Sequence, residues 1–524
     1  MDIAAELARQ TLLHGCCSVG KHLHESDGAI PWLGVALRGE MEPLSQGTPF
    51  AWSSEVCRSN AELTQALQGG MGLSGALAML PIPLLKVQRT LMESLKTTSC
   101  SVSLVVQARR VLAAYGIPKA EWNSSAAVPT GSTELDAFVG EYGDSWVRAV
   151  EVGGSLQGVY TLYAQSQQQA KEVGERLDLL VAAGGVNLGP SFSRRLQEVA
   201  SETKVNARFR VSIAGLANPP ALNEDQIEEF ARNFGSIMLD KPEILSFQSS
   251  GYEQLAALRD ALTPVAENRK LLCGDGVSIG LLGERQKLLE IINQCTWIND
   301  TYEIYGLAAD PSLAVNRSPV KADIEAIEAL CSQYQASPST PLQKPTLTAL
   351  ATGSPNLQVE LSDGEVMGGG GGEPFRYLDR ENAIRRRRRL AQVGLRSGGR
   401  IDEIRLHYQQ EPAGATDEWI HESHGNDGGG RNKGEMELAR GETIHRIRAK
   451  TGVPNGRVDR LTLNSSDGQE LGGGGEAGNK ELDWQPAANQ VLLGFSGRSG
   501  SELDSLRAVI ATFGPLHWEP VEAG

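Results

Sequence analysis

What most constrains this 524-residue chain is a unit repeated three times in its last third. Glycine-rich loops begin at Val366 (VMGGGGGEPF), His424 (HGNDGGGRNKGEMEL) and Glu470 (ELGGGGEAGNKELDW), spaced by roughly 45 to 60 residues as in repeat architectures. Three strand starts echo one another as well: GGRIDEIRLHY from Gly398, NGRVDRLTLNS from Asn455 and GSELDSLRAVI from Gly500. Each sets an aspartate, Asp402, Asp459 or Asp504, just before a run that alternates apolar and polar residues. Period two is the mark of a half-buried strand. Three such units bury one another's apolar faces, so the expectation is a three-sided β-prism of Greek-key units closing on an axis.

These segments resemble jacalin-related lectins over about Gln358 to Pro520. The resemblance is carried by GGGGG-x-x-F (Gly368 to Phe375), the RIDEIRLHY strand, GETIHRI (Gly441 to Ile447) and GFSGRSGSELDSL (Gly494 to Leu506). It implies metal-free sugar binding at a G-x-x-x-D loop, matched here by Gly500, Ser501, Glu502, Leu503 and Asp504, with Gly369 and Gly370 in the facing glycine-rich loop. The chemistry is sensible: a carboxylate accepts hydroxyl protons, loop N–H groups donate to sugar oxygens, and glycine permits close approach. Gly398 to Asp402 fits the same spacing and implies a second site, whereas Asn455 to Asp459 departs at its first position. The competing reading is that each aspartate only caps its own turn.

Ahead of the prism, ASPSTPLQKPTLTALATGSP from Ala336 reads as a linker. The domains expected are residues 1–345, a linker over 336–356, and 357–524. Within the first, the stretch from Tyr142 to Tyr163 (YGDSWVRAVEVGGSLQGVYTLY) is strand-like but carries Gly153-Gly154 near its middle. A glycine pair weakens a strand and marks a bulge or bend. Tyr142, Gly143, Asp144, Ser145 and Trp146 followed by Gly153-Gly154 resemble the signature of the membrane-attack-complex/perforin superfamily, with Asp144-Ser145 standing where that family has Thr-His. The order of segments fits too: a strand from Ser99 to Leu112, small-residue-rich segments from Glu62 to Thr97 and Gln167 to Thr203, and a strand from Lys204 to Leu216. The resemblance implies a bent antiparallel sheet flanked by two helical clusters, 62–97 and 167–203, that refold into membrane hairpins, with extra helices over 265–335. The whole chain is then α+β.

A segment able to take both forms should show both periodicities. Leu63, Leu67, Met71, Leu73, Leu77 and Met79 alternate with small or polar residues, the lipid-out, lumen-in pattern of a membrane strand. Leu177, Leu179, Val181 and Ala183 alternate up to Gly184-Gly185, and Val186, Leu188, Phe192 and Leu196 take the opposite parity beyond it, as a hairpin requires. Yet Val173, Leu177, Leu180 and Val181 also make a helical stripe. Glu175 interrupts the second alternation.

Net charge of −15 argues against a nucleic-acid partner. The basic run Arg385 to Arg389 reads as a solvated strand edge or loop, with anionic headgroups as the alternative. Seven cysteines with no CxxC spacing read as free buried thiols. No signal peptide or apolar span is visible, so a chain made soluble and acting outside the cell is expected. Gly70 to Gly75 fits GxGxxG without a βαβ context, His421 to His424 (HESH) lacks metalloprotease spacing, and no cofactor, metal or catalytic constellation is expected. The chain thus reads as a pore-forming toxin or defence protein, similar to bacterial insecticidal perforin-like proteins with a C-terminal β-prism. Its expected partners are its own copies, target-membrane lipids and a glycan or glycosylated receptor. The alternative is a glycan-binding protein that docks without lysis.

Overall fold

The computed structural model describes residues 3 to 520 apart from 18–32, 46–49, 60–61, 64–65, 68–90, 92–93, 96, 124–126, 185–191, 204, 225, 275–278, 378–382, 385–386, 411–418 and 453–455. Seven strands build the N-terminal sheet: β1 (Gly15–Cys16), β2 (Glu42–Ser45), β3 (Ala51–Cys57), β4 (Ser101–Gly116), β5 (Ser145–Tyr163), β6 (Asn206–Ala214) and β7 (Glu243–Gly251). The spine is the antiparallel β4–β5 pair. On one flank β4 holds β3 and then β2. On the other, β5 holds β7 up to Gly153 and β6 from Ser155 onward.

The glycine pair sits where β5 changes neighbours. A Cβ at Gly153 would run into the carbonyl oxygen of Arg110, and one at Gly154 into the Leu239 side chain. Opposite, the β4 register slips between Val111 and Ala113, a bulge that bends the strand locally. Gly153-Gly154 is thus demanded by close backbone approach.

Both faces of the upper sheet are covered by helices that leave from one end of it. Residues 58–100 join β3 to β4, and residues 164–205 join β5 to β6. The second connection forms α3 (Gln167–Gly184) and α4 (Phe192–Glu202), with α2 (Ser132–Tyr142) and α1 (Ile3–Arg9) earlier in the chain. Val173, Leu177, Leu180, Leu196 and Ala200 bury against Leu104, Val106, Leu156 and Tyr160. On the opposite face Leu63, Leu67, Leu91 and Leu95 pack on Val105 and Val159. There Gln107 and Gln157, buried register partners, donate to the carbonyl oxygens of Ala66 and Leu67, the second at 2.6 Å. In the second segment the helical periodicity is therefore the one realised, while residues 68–90 of the first lie outside the described residues.

Further helices α5 (Ile227–Asn233), α6 (Thr263–Cys273), α7 (Gly280–Ile304), α8 (Pro311–Ala336) and α9 (Ala349–Thr352) follow. A buried network ties α6 and α8 to the start of β5. The fully buried Asp144 accepts from the Tyr334 hydroxyl at 2.8 Å and the Ser145 hydroxyl at 2.9 Å. Its main-chain oxygen accepts from Arg269 at 2.8 Å, and Arg269 also pairs with Glu253 at 2.5 Å. Replacing Tyr334 by Phe removes one donor from a buried carboxylate and should cost about 1–3 kcal/mol in denaturant unfolding. A loss below ~0.5 kcal/mol would remove the network from the stability of this joint.

The C-terminal strands are β8 (Ser354–Asn356), β9 (Val359–Asp363), β10 (Met367–Gly368), β11 (Glu373–Phe375), β12 (Arg388–Ser397), β13 (Ile401–Gln410), β14 (Trp419–Gly425), β15 (Arg431–Glu437), β16 (Ile444–Thr451), β17 (Val458–Ser465), β18 (Glu470–Gly474), β19 (Lys480–Trp484), β20 (Gln490–Ser499), β21 (Leu503–Phe513) and β22 (His517–Glu519). They form three antiparallel sheets, β9-β21-β20-β11 with β10 on β21, β14-β13-β12-β15, and β18-β17-β16-β19, the three faces of a prism. Leu395, Ile404, Leu406, Leu461, Leu463, Phe495 and Leu506 fill its axis.

The segment expected as a linker is tied down. Asp136 receives Ser337 and Ser339, Asp323 receives Thr348 and Ala349, and β8 pairs with β22. In the basic run Arg387, Arg388 and Arg389 are all buried rather than on a solvated edge, and Arg385 and Arg386 lie outside the described residues. The Arg387 guanidinium lies 4.7 Å over the Trp297 ring and donates to the Trp297 carbonyl at 2.6 Å, and its pKa is lowered to about 10 by burial. Arg389 donates to Leu438 and, at 2.7 Å, to Gln409. With Tyr305, whose hydroxyl donates to Ala383 and Arg388, these arginines join α7 to the prism. Charge density alone suggested exposure; aromatic stacking and carbonyl acceptors make burial tolerable.

Candidate functional site

The two G-x-x-x-D turns join β12 to β13 and β20 to β21, and the Asp459 turn, of which residues 453–455 lie outside the described residues, joins β16 to β17, equivalent places in the three units. In each, the aspartate main-chain oxygen accepts an N–H from the facing glycine-rich loop: Gly369 to Asp504, Asn426 to Asp402 and Gly475 to Asp459, each at 2.9 Å. The side chains, however, are spent differently.

Asp402 caps its own turn, its Oδ2 accepting the Gly398 N–H at 2.6 Å. Asp459 accepts from Arg400 Nε at 3.3 Å. Asp504 is 7% exposed, yet among the described residues its carboxylate accepts no hydrogen bond; Arg457 Nε stands 3.5 Å from Oδ1. A carboxylate this buried with acceptor capacity left over calls for donors from outside the chain. The Gly500 N–H goes to the Glu502 carbonyl oxygen at 3.0 Å, as the Gly398 N–H goes to that of Arg400 at 3.1 Å, but only in the Asp402 turn does the aspartate share that donor.

The wall facing Asp504 is backbone. A Cβ at Gly371 would stand 2.5 Å from Oδ1, and one at Gly372, where φ is +63°, would strike Oδ2. Arg498 fixes this loop by donating to the carbonyl oxygens of Gly371 at 2.8 Å and Gly372 at 2.7 Å. Arg396 makes the equivalent bond to Gly429 at 3.1 Å in the Asp402 unit. Lys450, at the equivalent place in the third, turns instead to Glu476 and Glu481. Gly370 borders open space and Ser501 is exposed, so both line the approach. Glu502 spends one carboxylate oxygen, Oε2, on Arg400, at 3.2 Å, and on Arg457. Sequence reading passed over these two arginines, although both occupy the third position of their turns.

Glu422 and His424, expected in a loop, belong to β14. Glu422 is buried 3.5 Å from His424, whose ring stacks on Phe375 at 3.7 Å. Among the described residues no group of three or more His, Cys, Asp or Glu could hold a metal ion.

Of the residues expected to enter a membrane, Leu63, Leu67 and Leu177 are buried against the sheet, Val181 is half-buried and Leu179 is 70% exposed on α3. Phe192 begins α4, while Met71, Leu73, Leu77, Met79, Val186 and Leu188 lie outside the described residues. Among the described residues no helix is long and apolar enough to cross a membrane. Tyr142 ends α2, Gly143 turns with φ of +79°, and Asp144, Ser145 and Trp146 lead into β5.

The family model of the jacalin-like lectin domain matches residues 364–509. Similar solved structures include a Malaysian banana lectin at 20% identity (29% of this chain and 98% of that one, TM-score 0.24) and a mannose-binding jacalin-related lectin from Ananas comosus at 22% (29% and 96%, TM-score 0.24). An artocarpin–mannotriose complex is 19% identical (29% and 97%, TM-score 0.24). The chain matches no curated protein.

Proposed function

We propose that the chain is a glycan-directed, non-catalytic pore former of the membrane-attack-complex/perforin kind, which binds a target membrane through its jacalin-like lectin domain, assembles into a ring and inserts two β-hairpins per copy. Its place of action is then the surface of another cell. The Asp504 loop is the glycan contact, with a neutral sugar presenting hydroxyl donors.

The reading is carried by the register of the sheet. Cys57 faces Ser103, and continuing that pairing along the sequence brings Met79 opposite Pro81, with Leu80 at the tip. Tyr163 faces Asn206, and continuing that one brings Gly184 next to Gly185. Ser101 faces Tyr163, which sets Leu80 level with Gly184. Extending three registers fixed far below to the inserted form supports two tips at one height, one of them on the glycine pair a two-residue turn prefers.

The same frame decides the faces. Leu67, Met71, Leu73, Leu77 and Met79 fall on one side together with Leu85 and Val87, Leu177, Leu179 and Val181, and Val186, Leu188 and Phe192, while Gln68, Ser74, Asn187 and Ser193 fall on the other. The first and fourth legs keep this parity closely, while Ile82, Leu84 and Met92 in the second and Leu180 in the third fall on the other side. Glu175, which interrupts the alternation, falls directly opposite Arg89 and Arg194 about nine residues below the tips, so three paired charges close the apolar band at the depth a membrane strand needs, ~9–11 residues.

Isolated hairpins leave edge N–H and C=O groups unsatisfied in lipid, so copies must pair side by side. The upper sheet runs β3-β4-β5-β6, antiparallel throughout, with β3 and β6 at its edges. Setting β6 of one copy against β3 of the next keeps the alternation and brings Arg208 and Arg210 toward Glu55.

Full-length protein added to dye-loaded liposomes bearing target-membrane glycolipids should release dye and form rings, and D504A should abolish both without lowering the melting temperature. Intact liposomes with protein demonstrably bound would replace this reading with non-lytic glycan adhesion.

A further inference from the structure

The third positions of the three turns, Arg400, Arg457 and Glu502, meet across the end of the prism. Arg400 reaches Asp459 at 3.3 Å and Glu502 at 3.2 Å, and Arg457 reaches Glu502 and, at 3.5 Å, Asp504. Five groups of alternating charge therefore run Asp459, Arg400, Glu502, Arg457, Asp504 through all three repeats. Asp402 stands outside this row and is closed by its own Gly398 N–H. We propose that Arg457, supplied by the neighbouring repeat, is a positioning residue for the Asp504 ligand loop, and that the charge row makes three look-alike turns unequal, with Asp504 the strongest glycan site.

The inference rests on the reading of Asp504 as a sugar ligand. Arg400 consumes the acceptor capacity of Asp459 with a hydrogen bond, whereas Arg457 stands beyond hydrogen-bond distance of Asp504. It holds the charge of that carboxylate without occupying its lone pairs. Glu502 keeps Arg457 from closing the gap, since the stronger contact of the guanidinium is to Glu502; that contact, with the one from Arg400, also holds the Glu502 carboxyl below its usual pKa. Without Arg457, Glu502 and Asp504 would lie two residues apart on one turn with less opposing charge between them. The Asp504 carboxylate would then turn toward solvent or toward the Gly500 N–H, the closure seen at Asp402.

The test is calorimetric titration of the full chain with methyl α-mannoside and methyl α-galactoside, for wild type, R457A, R457K and D504A. Wild type should bind one sugar with an affinity that falls with added salt, because the row is electrostatic. R457A should bind it about tenfold more weakly with a flat salt response, and R457K should recover most of the loss, at unchanged melting temperatures. D504A should not bind. If R457A matches wild type in affinity and salt response while D504A is dead, the positioning role is overturned and the sugar site stands. If D504A binds normally, or wild type binds neither sugar, the site reading falls and the inference falls with it.

Discussion

Replacing Gly153 by valine should destabilise the N-terminal sheet by at least about 4 kcal/mol, enough to leave most of the protein misfolded on expression. The atoms that a Cβ would meet are the carbonyl oxygen of Arg110 and the Cα of Val111, the latter at 3.0 Å. Both are backbone of the adjacent strand, so no rotamer change relieves the overlap. Moving β4 away would disrupt its pairing over Ser101 to Gly116 and the Arg109–Glu151 bridge, 2.9 Å long and mostly buried. The matched control is Gly140→Ala in α2, where an added Cβ meets nothing within 4 Å. That change should be neutral or stabilising by up to ~1 kcal/mol, since alanine restricts the unfolded chain and favours helix. Urea unfolding of the pair checks it. A Gly153→Val protein as stable as wild type would mean that the close strand approach is not what the glycine serves.

The glycine pair and the prism were legible in the sequence for one reason: each is a local rule repeated or broken in a way that few structures tolerate. Alternation three times over, with glycine where loops must pass close to an aspartate, leaves little besides a prism. The candidate site was half legible. Asp504, Asp402 and Asp459 look alike as motifs, and what separates them is which donor each carboxylate receives, a property of neighbours from other repeats. Arg400 and Arg457 were in plain view at the third position of each turn, but their reach across the axis exists only once the prism closes. Arg387 to Arg389 read as solvated because composition registers charge and not the Trp297 ring or the Leu438 carbonyl that receive it. Ala217 to Tyr334 is the least readable stretch: Pro242 to Leu258 resembles the segment that closes a perforin core, but the partner of its strand β7 lies about a hundred residues earlier, so no local pattern reports the pairing.

Tying α3 to the end of β3 should silence dye release completely while leaving glycan binding and assembly intact. Arg58 and Asp178 form an ion pair and are 43% and 51% exposed, so Arg58→Cys and Asp178→Cys present accessible thiols on facing elements. A short, reducible bismaleimide can bridge them in a Cys17→Ser background. The other native thiols do not compete: Cys16, Cys57 and Cys100 are pushed up to about 12 by burial, Cys295 and Cys331 to about 11, and Cys273 is raised by the same cause. In the hairpin register, residue 58 sits at the foot of the first leg and residue 178 close to the tip of the third. They would stand about 50 Å apart at ~3.3 Å per residue, far beyond any such bridge. The crosslink is therefore compatible with the folded packet and incompatible with the inserted ribbon. Cleaving it with reductant should restore release in the same sample, which separates a conformational block from damage by modification. Crosslinked protein that leaks liposomes at the wild-type rate before reduction would exclude refolding of residues 164–205 from the mechanism, however well the registers agree.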